Sequence, residues 1–411
     1  MNGLITIKNI PVCIFTFMRL NLSSALPMRK SFFFLLFLLP ALVHAQYKIT
    51  GRVVDSASKK PVPGATVFLA DALVIAATTV DGRFTLENVR NGQYGLVVSA
   101  VGFGKYKQSV NVHDNVELGD ISISLRAVQL HEVRIVRGKN FNKKYYKMFA
   151  ARFLGATENA KSCSILNPHV LNIRYDDDKD VLTAASDDFL EIQNKALGYK
   201  LKYLLENFIS DEESQSLYYD GVAAFEQMDG NASRQKKWDL NRVKAYKGSM
   251  MHFLRSLIAN QMTEEGFTAY KLLRSTISDP AADSIARERI KQYKLLIAQG
   301  LPEQQMLAYW RQVSHQTTTL HKLIEKPLKL SNILKKTDQK GIFALTYPFA
   351  LYIIYNKDNV YRESVITFKT DYTLFDLNGH ILNPESVFIE GSWSNNRIAD
   401  SLPIDYELPQ N

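Results

Sequence analysis

Apolar and polar residues alternate along most of the first third of the chain. "KITGRVVD" sets Ile49, Gly51 and Val53 on one side, and "KKPVPGATVFLA" follows a Pro/Gly turn with Ala65, Val67 and Leu69 on one face. "VDGRFTLENV" places Phe84 and Leu86 opposite Arg83, Thr85 and Glu87. "RNGQYGLVVSA" repeats the device with Tyr94, Leu96, Val98 and Ala100. A period of two is the signature of a strand with one buried face. Asp81-Gly82 and Asn91-Gly92 precede two of these runs and tolerate the positive φ of tight turns. Strands recurring at short intervals from Tyr47 to Val136 predict an all-β sandwich. Val128, Leu130 and Val133 fit a last strand. A boundary at about residue 138 then separates a domain over 46–138 from a helix near Phe141–Leu154.

The pattern over 139–411 predicts a larger α+β domain. "HVLNIRYD", "VLTAASDDFLEIQN", "LGYKLKYLLENFIS" and "SQSLYYDGVAAFEQM" read as strands, with Tyr199, Leu201, Tyr203 and Leu205 alternating. The period then changes. From Trp238 to Ile258 the apolar residues Val243, Tyr246, Met250, Phe253 and Leu257 step by three or four, which predicts a helical segment; Gly248 inside it either breaks the helix or allows close packing. Two more helices fit Asp283–Gln299 and Pro302–His315, with Pro302 placed as a first helical residue. Strands return after Gly341, and Asn378-Gly379 predicts a two-residue hairpin turn. A helical insertion over about 235–316 thus interrupts a β-rich domain.

The first 45 residues follow another logic. "MRKSFFFLLFLLPALVHA" from Met28 has a basic start, an apolar run from Ser31 to Val43, and small residues at Val43 and Ala45. That is the pattern of a secretory signal peptide cut before Gln46, with translation starting at Met28. A lipoprotein would need Cys at the cut, where Gln46 stands. Four Lys/Arg and no Asp/Glu lie in this segment, so the overall charge of +9 falls to +5 behind it. "RQKKW" and "KPLKLSNILKK" are short basic runs without interleaved aromatics, so nucleic acid is not an expected partner. Cys163 is the only cysteine after the cut, which excludes an internal disulfide there. It reads as a small packed residue rather than a nucleophile.

"GRVVDSASKKPVPGATVFL", "TTVDGRFTLENVRNGQYGLVVSAVGFGKYKQSVNV" and "DISISL" resemble, in order, the carboxypeptidase-regulatory-like domain. The resemblance covers roughly 47–136. It implies a seven-stranded, transthyretin- or starch-binding-like sandwich, common in exported Bacteroidetes proteins and in the N-terminal extensions of TonB-dependent outer-membrane receptors. The family name comes from a companion of metallocarboxypeptidases, and the domain is not itself the peptidase. "FLGATENAKSCSILNP", "IQNKALGYKLKYLL", "NRVKAYKGSMMHFLRSL" and "RIADSLPIDY" resemble exported Bacteroidetes proteins that carry such a module. That resemblance implies an architecture and a periplasmic or outer-membrane location, and no reaction.

Motifs for catalysis are missing. None of the eight histidines is followed three residues later by Glu, and no H-E-x-x-H occurs, so a zinc peptidase site is not expected. "DDDKD" offers Asp176, Asp178 and Asp180, but Val181 stands where a calcium loop needs Gly. A solvated hairpin explains it better. "GSWSN" and "KGSMM" are not nucleophile elbows. Carboxylate pairs for glycoside cleavage can be far apart in sequence, so no pair is singled out.

Two groups remain as candidate ligand-binding residues. Tyr94, Phe103 and Tyr106 would stack on sugar rings or peptide side chains if exposed, and would be framework if buried. "WDLNRVKAYKGSMMHFLRSL" gathers Arg242, Lys244, Tyr246, His252 and Arg255. Arg242, His252 and Arg255 suit a carboxylate site, or else a polar seam that fastens helices to the sheet. No catalytic residue, metal or cofactor is expected. The leading expectation is a non-enzymatic cell-envelope binding protein, its partner an outer-membrane receptor or transporter, a glycan or a peptide. The alternatives are a metal-independent hydrolase of peptidoglycan or polysaccharide, with a deep pocket in the second domain, and a structural scaffold.

Overall fold

A computed structural model describes residues 46–125, 143–186, 188–277, 280–314 and 318–409. The leader over 1–45, the last strand expected at Val128–Val133 and the boundary near residue 138 lie outside the described residues. The described residues from Gln46 onward form one compact unit. Among the described residues the protein is mostly β, with seven strands in the N-terminal domain followed by a larger α+β region.

The sandwich is built from β1 (Tyr47–Asp55), β2 (Thr66–Leu69), β3 (Ile75–Ala77), β4 (Arg83–Val89), β5 (Gly92–Ser99), β6 (Tyr106–Val112) and β7 (Val116–Ile123). One sheet has the order β4-β1-β7 and the other β3-β2-β5-β6. The alternating residues Ile49, Val53, Val67, Leu69, Phe84, Leu86, Leu96 and Val98 meet in the core between them. The two Asx-Gly pairs differ in role. Gly82 has φ +73° and ends a short loop in which its N–H donates to Thr79 O at 2.8 Å. Gly92 does not take a positive φ; it opens β5, where an added Cβ would lie 2.9 Å from Asn378 Nδ2. That glycine serves close approach, and Asn88 supplies the left-handed residue at φ 59°.

The α+β region begins with α1 (Lys143–Leu154), followed by β8 (Cys163–Ile165), β9 (Leu171–Asp176), β10 (Val181–Ser186), β11 (Leu190–Asn194), β12 (Tyr199–Asp211) and β13 (Ser216–Gln227). These strands form one sheet in which β12 pairs with β10, β11 and β13. Phe149 and Phe153 of α1 seat edge-on against Phe208 and Tyr203 of that sheet. Next come α2 (Ala232–Tyr246), α3 (Met250–Ile258), β14 (Phe267–Ile277), α4 (Pro280–Ala298), α5 (Gln304–Ser314) and β15 (Thr318–Ile324). The chain closes with α6 (Leu330–Ile333), β16 (Leu334–Lys336), β17 (Ile342–Leu345), β18 (Ala350–Lys357), β19 (Val360–Phe368), β20 (Thr373–Asp376), β21 (Val387–Gly391) and α7 (Ser392–Asn395). A five-stranded sheet runs β15-β14-β18-β19-β21, and a small one β16-β17-β20. Phe253, Leu254 and Leu257 of α3 share a core with Phe267, Ile353, Tyr355 and Trp393.

Three expectations need correction, and one open alternative is decided. The helical segment expected from Trp238 to Ile258 is broken into two helices. Gly248 at φ +73° ends the first, its Cβ position being 2.7 Å from the Tyr355 ring, and the Ser249 hydroxyl caps the second by accepting from His252 N. The stretch 235–316 is not helical throughout, because β14 lies inside it; the α4–α5 hairpin is what interrupts the pair β14–β15. Helix α5 starts at Gln304, so Pro302 precedes it rather than opening it. The Asn378-Gly379 turn has three loop residues, closed by Asp376 N donating to His380 O at 3.0 Å, because a bridge pairs Phe375 with Ile381.

The sandwich is welded to the second region. Phe68 and Val97, on the outer face of its β2–β5 sheet, pack with Ala224, and Ala70, Ile75, Phe189 and Val222 surround them. Ala72 bridges Ala224 in parallel, with Asp71 N donating to Ala223 O at 2.6 Å and Phe225 N to Ala72 O at 3.1 Å. The chain end returns as a strap. Ile404, 5% exposed, enters the sandwich core, its N–H donates to Asp71 O at 2.7 Å, and the Asp405 carboxylate accepts from Leu73 N at 3.2 Å.

Candidate functional site

Where sandwich, β12–β13 and strap meet, they leave a cleft of about 710 Å³. Tyr218, Tyr219 and Asp220 of β13, Tyr203 and Glu206 of β12 and Tyr94 of β5 line it, with Tyr203 and Tyr219 also packed edge-on against Phe153. The loop with Gly379 and His380, and strap residues from Ile398 to Ile404, close the end. The long antiparallel pairing sets Tyr203 opposite Ala223, and a register shift between Leu205 and Asn207 re-aims the strand there. Gly221 leaves no room for a Cβ, which would lie 2.2 Å from Leu204 O of the paired strand.

Two polar atoms in this cleft are buried without a hydrogen-bond partner, the Tyr94 hydroxyl and Asp220 Oδ1. Asp220 Oδ2 accepts from the Tyr218 hydroxyl at 3.3 Å. Tyr94 is 3% exposed, and the Asn378 amide beside it makes no well-formed bond to it. Burial, with Asp405 adding, pushes the Tyr94 hydroxyl up to about 12, so it stays a donor. Buried polar groups normally have partners, and these two have none among the described residues.

Acidic groups crowd the cleft. Burial raises the Asp71 carboxyl above its ordinary value, opposed by His380 and by the bond it accepts from Ala223 N at 3.0 Å. Asp376, just behind His380, is likewise raised by burial while its Oδ1 accepts from the N–H groups of Asn378 and His380, each at 2.9 Å. Glu206 at the rim pairs with Lys107 of the sandwich. Among the lining residues Asp71, Glu206, Asp220 and Glu385 face a single histidine, so the cleft disfavours anions.

The residues singled out from sequence fall in different places. Tyr94 is framework in its ring, and only its hydroxyl belongs to the cleft. Phe103 and Tyr106 are half-buried against the sandwich core; Phe103 bridges Leu125, and the Tyr106 hydroxyl donates to Gln108 Oε1 at 2.8 Å. Neither lines the cleft. Arg242 on α2 lies 4.2 Å over the Tyr199 ring and donates from Nε to Leu197 O at 2.8 Å. Arg255 on α3 donates to three carbonyls, of Asn378 at 2.8 Å and of Ile404 and Tyr406 at 2.7 Å. His252 Nδ1 accepts from Gly248 N at 3.1 Å, so Nε2 carries the proton toward Glu265 Oε2 at 3.1 Å. Burial lowers its basicity, against the pull of Glu265. These three side chains spend their polar atoms on the protein itself, forming a polar seam. Asp176 and Asp180 brace the β9–β10 hairpin: Asp176 Oδ1 accepts from Asp178 N at 3.1 Å, and Asp180 holds Arg311, the Tyr175 hydroxyl at 2.9 Å and Lys294 at 3.4 Å. Among the described residues no group of three or more His, Cys, Asp or Glu is placed to hold a metal ion, and no helix is long and apolar enough to cross a membrane.

Sequence reasoning missed Asp71, Tyr218, Tyr219, Asp220 and His380. Their association depends on the docking of sandwich on β13, which no spacing in the chain encodes.

Residues 49–135 match the CarboxypepD_reg-like domain family, so this segment is such a domain. No curated protein matches the chain. Among solved structures, the cohesin–X-dockerin complex of Acetivibrio cellulolyticus is 19% identical over 19% of this chain and 56% of its own, with a TM-score of 0.17. The match thus spans just over half of that chain. A 5-hydroxyisourate hydrolase of Klebsiella pneumoniae is 19% identical over 18% of this chain and 90% of its own, with a TM-score of 0.16. A protein of unknown function from Bacteroides fragilis is 10% identical over 84% of this chain and 93% of its own, with a TM-score of 0.16. All three superpose poorly.

Proposed function

We propose that the protein is a non-catalytic binding protein of a bacterial cell envelope, and that a neutral oligosaccharide occupies the cleft between sandwich and α+β region. One observation carries this reading. Two buried, unpartnered polar atoms, a donor at Tyr94 and an acceptor at Asp220, belong to residues that line a cleft with Tyr218 among its aromatic residues. Sugar hydroxyls both donate and accept, and their apolar ring faces stack on aromatics. The volume falls within the roughly 300–1,000 Å³ of small-ligand sites, and the acidic lining favours a neutral ligand over an anionic one. The export pattern at the N-terminus supports the envelope location, and an outer-membrane receptor or transporter is the partner that location suggests.

The test is calorimetric titration of the purified protein with neutral oligosaccharides (gluco-, xylo- and chito-series). Saturable binding that weakens about tenfold in Tyr218→Ala and in Asp220→Asn is expected, each removing roughly one stacking or hydrogen-bonding contribution. Binding that ignores both substitutions, or none to any neutral glycan, refutes the proposal. The hydrolase reading has one observation in its favour, the raised Asp71 carboxyl beside His380 in the same cleft. Reducing ends released during the titration, and abolished by Asp71→Asn, would decide for it.

A further inference from the structure

A second concavity, of about 450 Å³, opens where α2, the loop after α1, β19 and α7 come together. Its wall is almost wholly polar, Ala245 being the one apolar lining residue. Two cations reach into it. Lys244 is exposed and forms no ion pair among the described residues. Arg362 is half-buried, donates from Nη2 to Lys244 O at 2.9 Å, and has no carboxylate within ion-pair distance. Burial pushes its guanidinium down, with the more distant Asp400 opposing. A half-buried guanidinium without a close counter-charge is unusual, because a desolvated charge is normally paired.

The acids in the wall are already engaged. The two Asp400 oxygens accept from the Thr157 hydroxyl and the Asn159 amide, both at 2.8 Å. Glu158 is held by Lys161 at 2.6 Å. What remains is two cations without a close carboxylate, Arg362 keeping Nε and Nη1 after its Nη2 bond to Lys244 O, and the side-chain amides of Asn395 and Asn396, which make no hydrogen bond among the described residues. A guanidinium fork matches a planar carboxylate, and the nearby Asp400 opposes a dianion such as phosphate. Amides arrayed around such a fork suit ring hydroxyls, whereas a peptide would need apolar pockets that this wall lacks.

We propose that this concavity binds a carboxylated saccharide, its carboxylate received by Arg362 and Lys244 and its hydroxyls by Asn395 and Asn396. The site is separate from the tyrosine cleft and does not depend on that reading. The test titrates the purified protein with galacturonate, glucuronate and muramate oligosaccharides, with the methyl esters of the first two as neutral isosteres, and with inorganic phosphate. The expected result is saturable binding of at least one acid, loss of it in the ester, and weakening as salt rises. Lys244→Gln should weaken it about threefold and Arg362→Gln about tenfold or more. Lys244 is exposed, so its variant folds normally and keeps the test valid if Arg362→Gln does not fold. Equal affinity for acid and ester, phosphate bound as well as the acids, insensitivity to Lys244→Gln, or no acid bound overturns the proposal.

Discussion

Arg255 fastens three pieces of backbone that are remote in sequence. Its guanidinium donates to the carbonyls of Asn378, Ile404 and Tyr406 at 2.7–2.8 Å, and its Cζ lies 5.5 Å from the centroid of the Tyr246 ring. Each bond from a charged donor contributes about 1.5–3 kcal/mol. The site is only part-buried, so water replaces some of this, and the low end applies. Arg255→Met keeps the apolar stem but removes all three bonds, and should destabilise by about 4 kcal/mol. For a chain of this length that is a fall in Tm of about 5 °C. The loss acts through the strap, whose Ile404 is buried in the sandwich core. Ile404→Ala alone should cost about 2–4 kcal/mol, and the double variant should lose less than the sum, because one released strap serves both. Urea unfolding of the four proteins measures this. A change within about 0.5 kcal/mol for Arg255→Met, or full additivity with Ile404→Ala, refutes the strap argument.

Other consequences follow from the same packing. His252 is held below its ordinary value of 6.5 by burial, so the folded state binds fewer protons than the unfolded one. Its contribution is complete above 6.5 and falls as pH drops toward the folded value, a slope that His252→Gln should remove from pH-dependent unfolding curves. Asp71 has the opposite sign: its folded value lies above 3.8, so stability falls as pH rises from there through the folded value. Asp71→Asn should flatten that slope without loss of stability at neutral pH. Gly198→Ala should cost roughly 2–4 kcal/mol in the same unfolding assay, because φ is +71° and a Cβ there collides with the Trp238 ring. Burial, helped by Asp400, pushes the Cys163 thiol up to about 12. A thiol reagent at about pH 8 should therefore label it only on unfolding, and fast labelling of the native protein would contradict this packing.

The strands were legible because their period is local. Ile49 and Val53, or Phe84 and Leu86, announce an inward face without reference to anything distant. The seam was not legible, although one trace of it lay in the chain. "TVFLA" and "GLVVSA" are continuous apolar runs inside an otherwise alternating domain. Such runs mark a sheet covered on both faces, and Phe68 and Val97 are the outward residues that the second region buries. The break at Gly248 was equally visible as a glycine in a helical pattern, but its cause is the approach of Tyr355 from a distant strand. Arg242 and Arg255 look alike in sequence whether they bind a ligand or the protein's own carbonyls. Only the positions of Leu197, Asn378 and Tyr406 separate the two.

The functional reading depends on the sandwich being a wall of the cleft rather than a tethered module. Hydrogen exchange of the backbone amides of Asp71, Leu73, Ala223, Phe225 and Ile404, which cross that seam, tests this most directly. If the seam is part of one folding unit, these amides exchange as slowly as those of Leu201 and Tyr203 inside the β12 sheet, and slow together as the protein is stabilised. Fast exchange at the seam, with β12 still protected, would show a sandwich that swings free and would remove the preformed cleft.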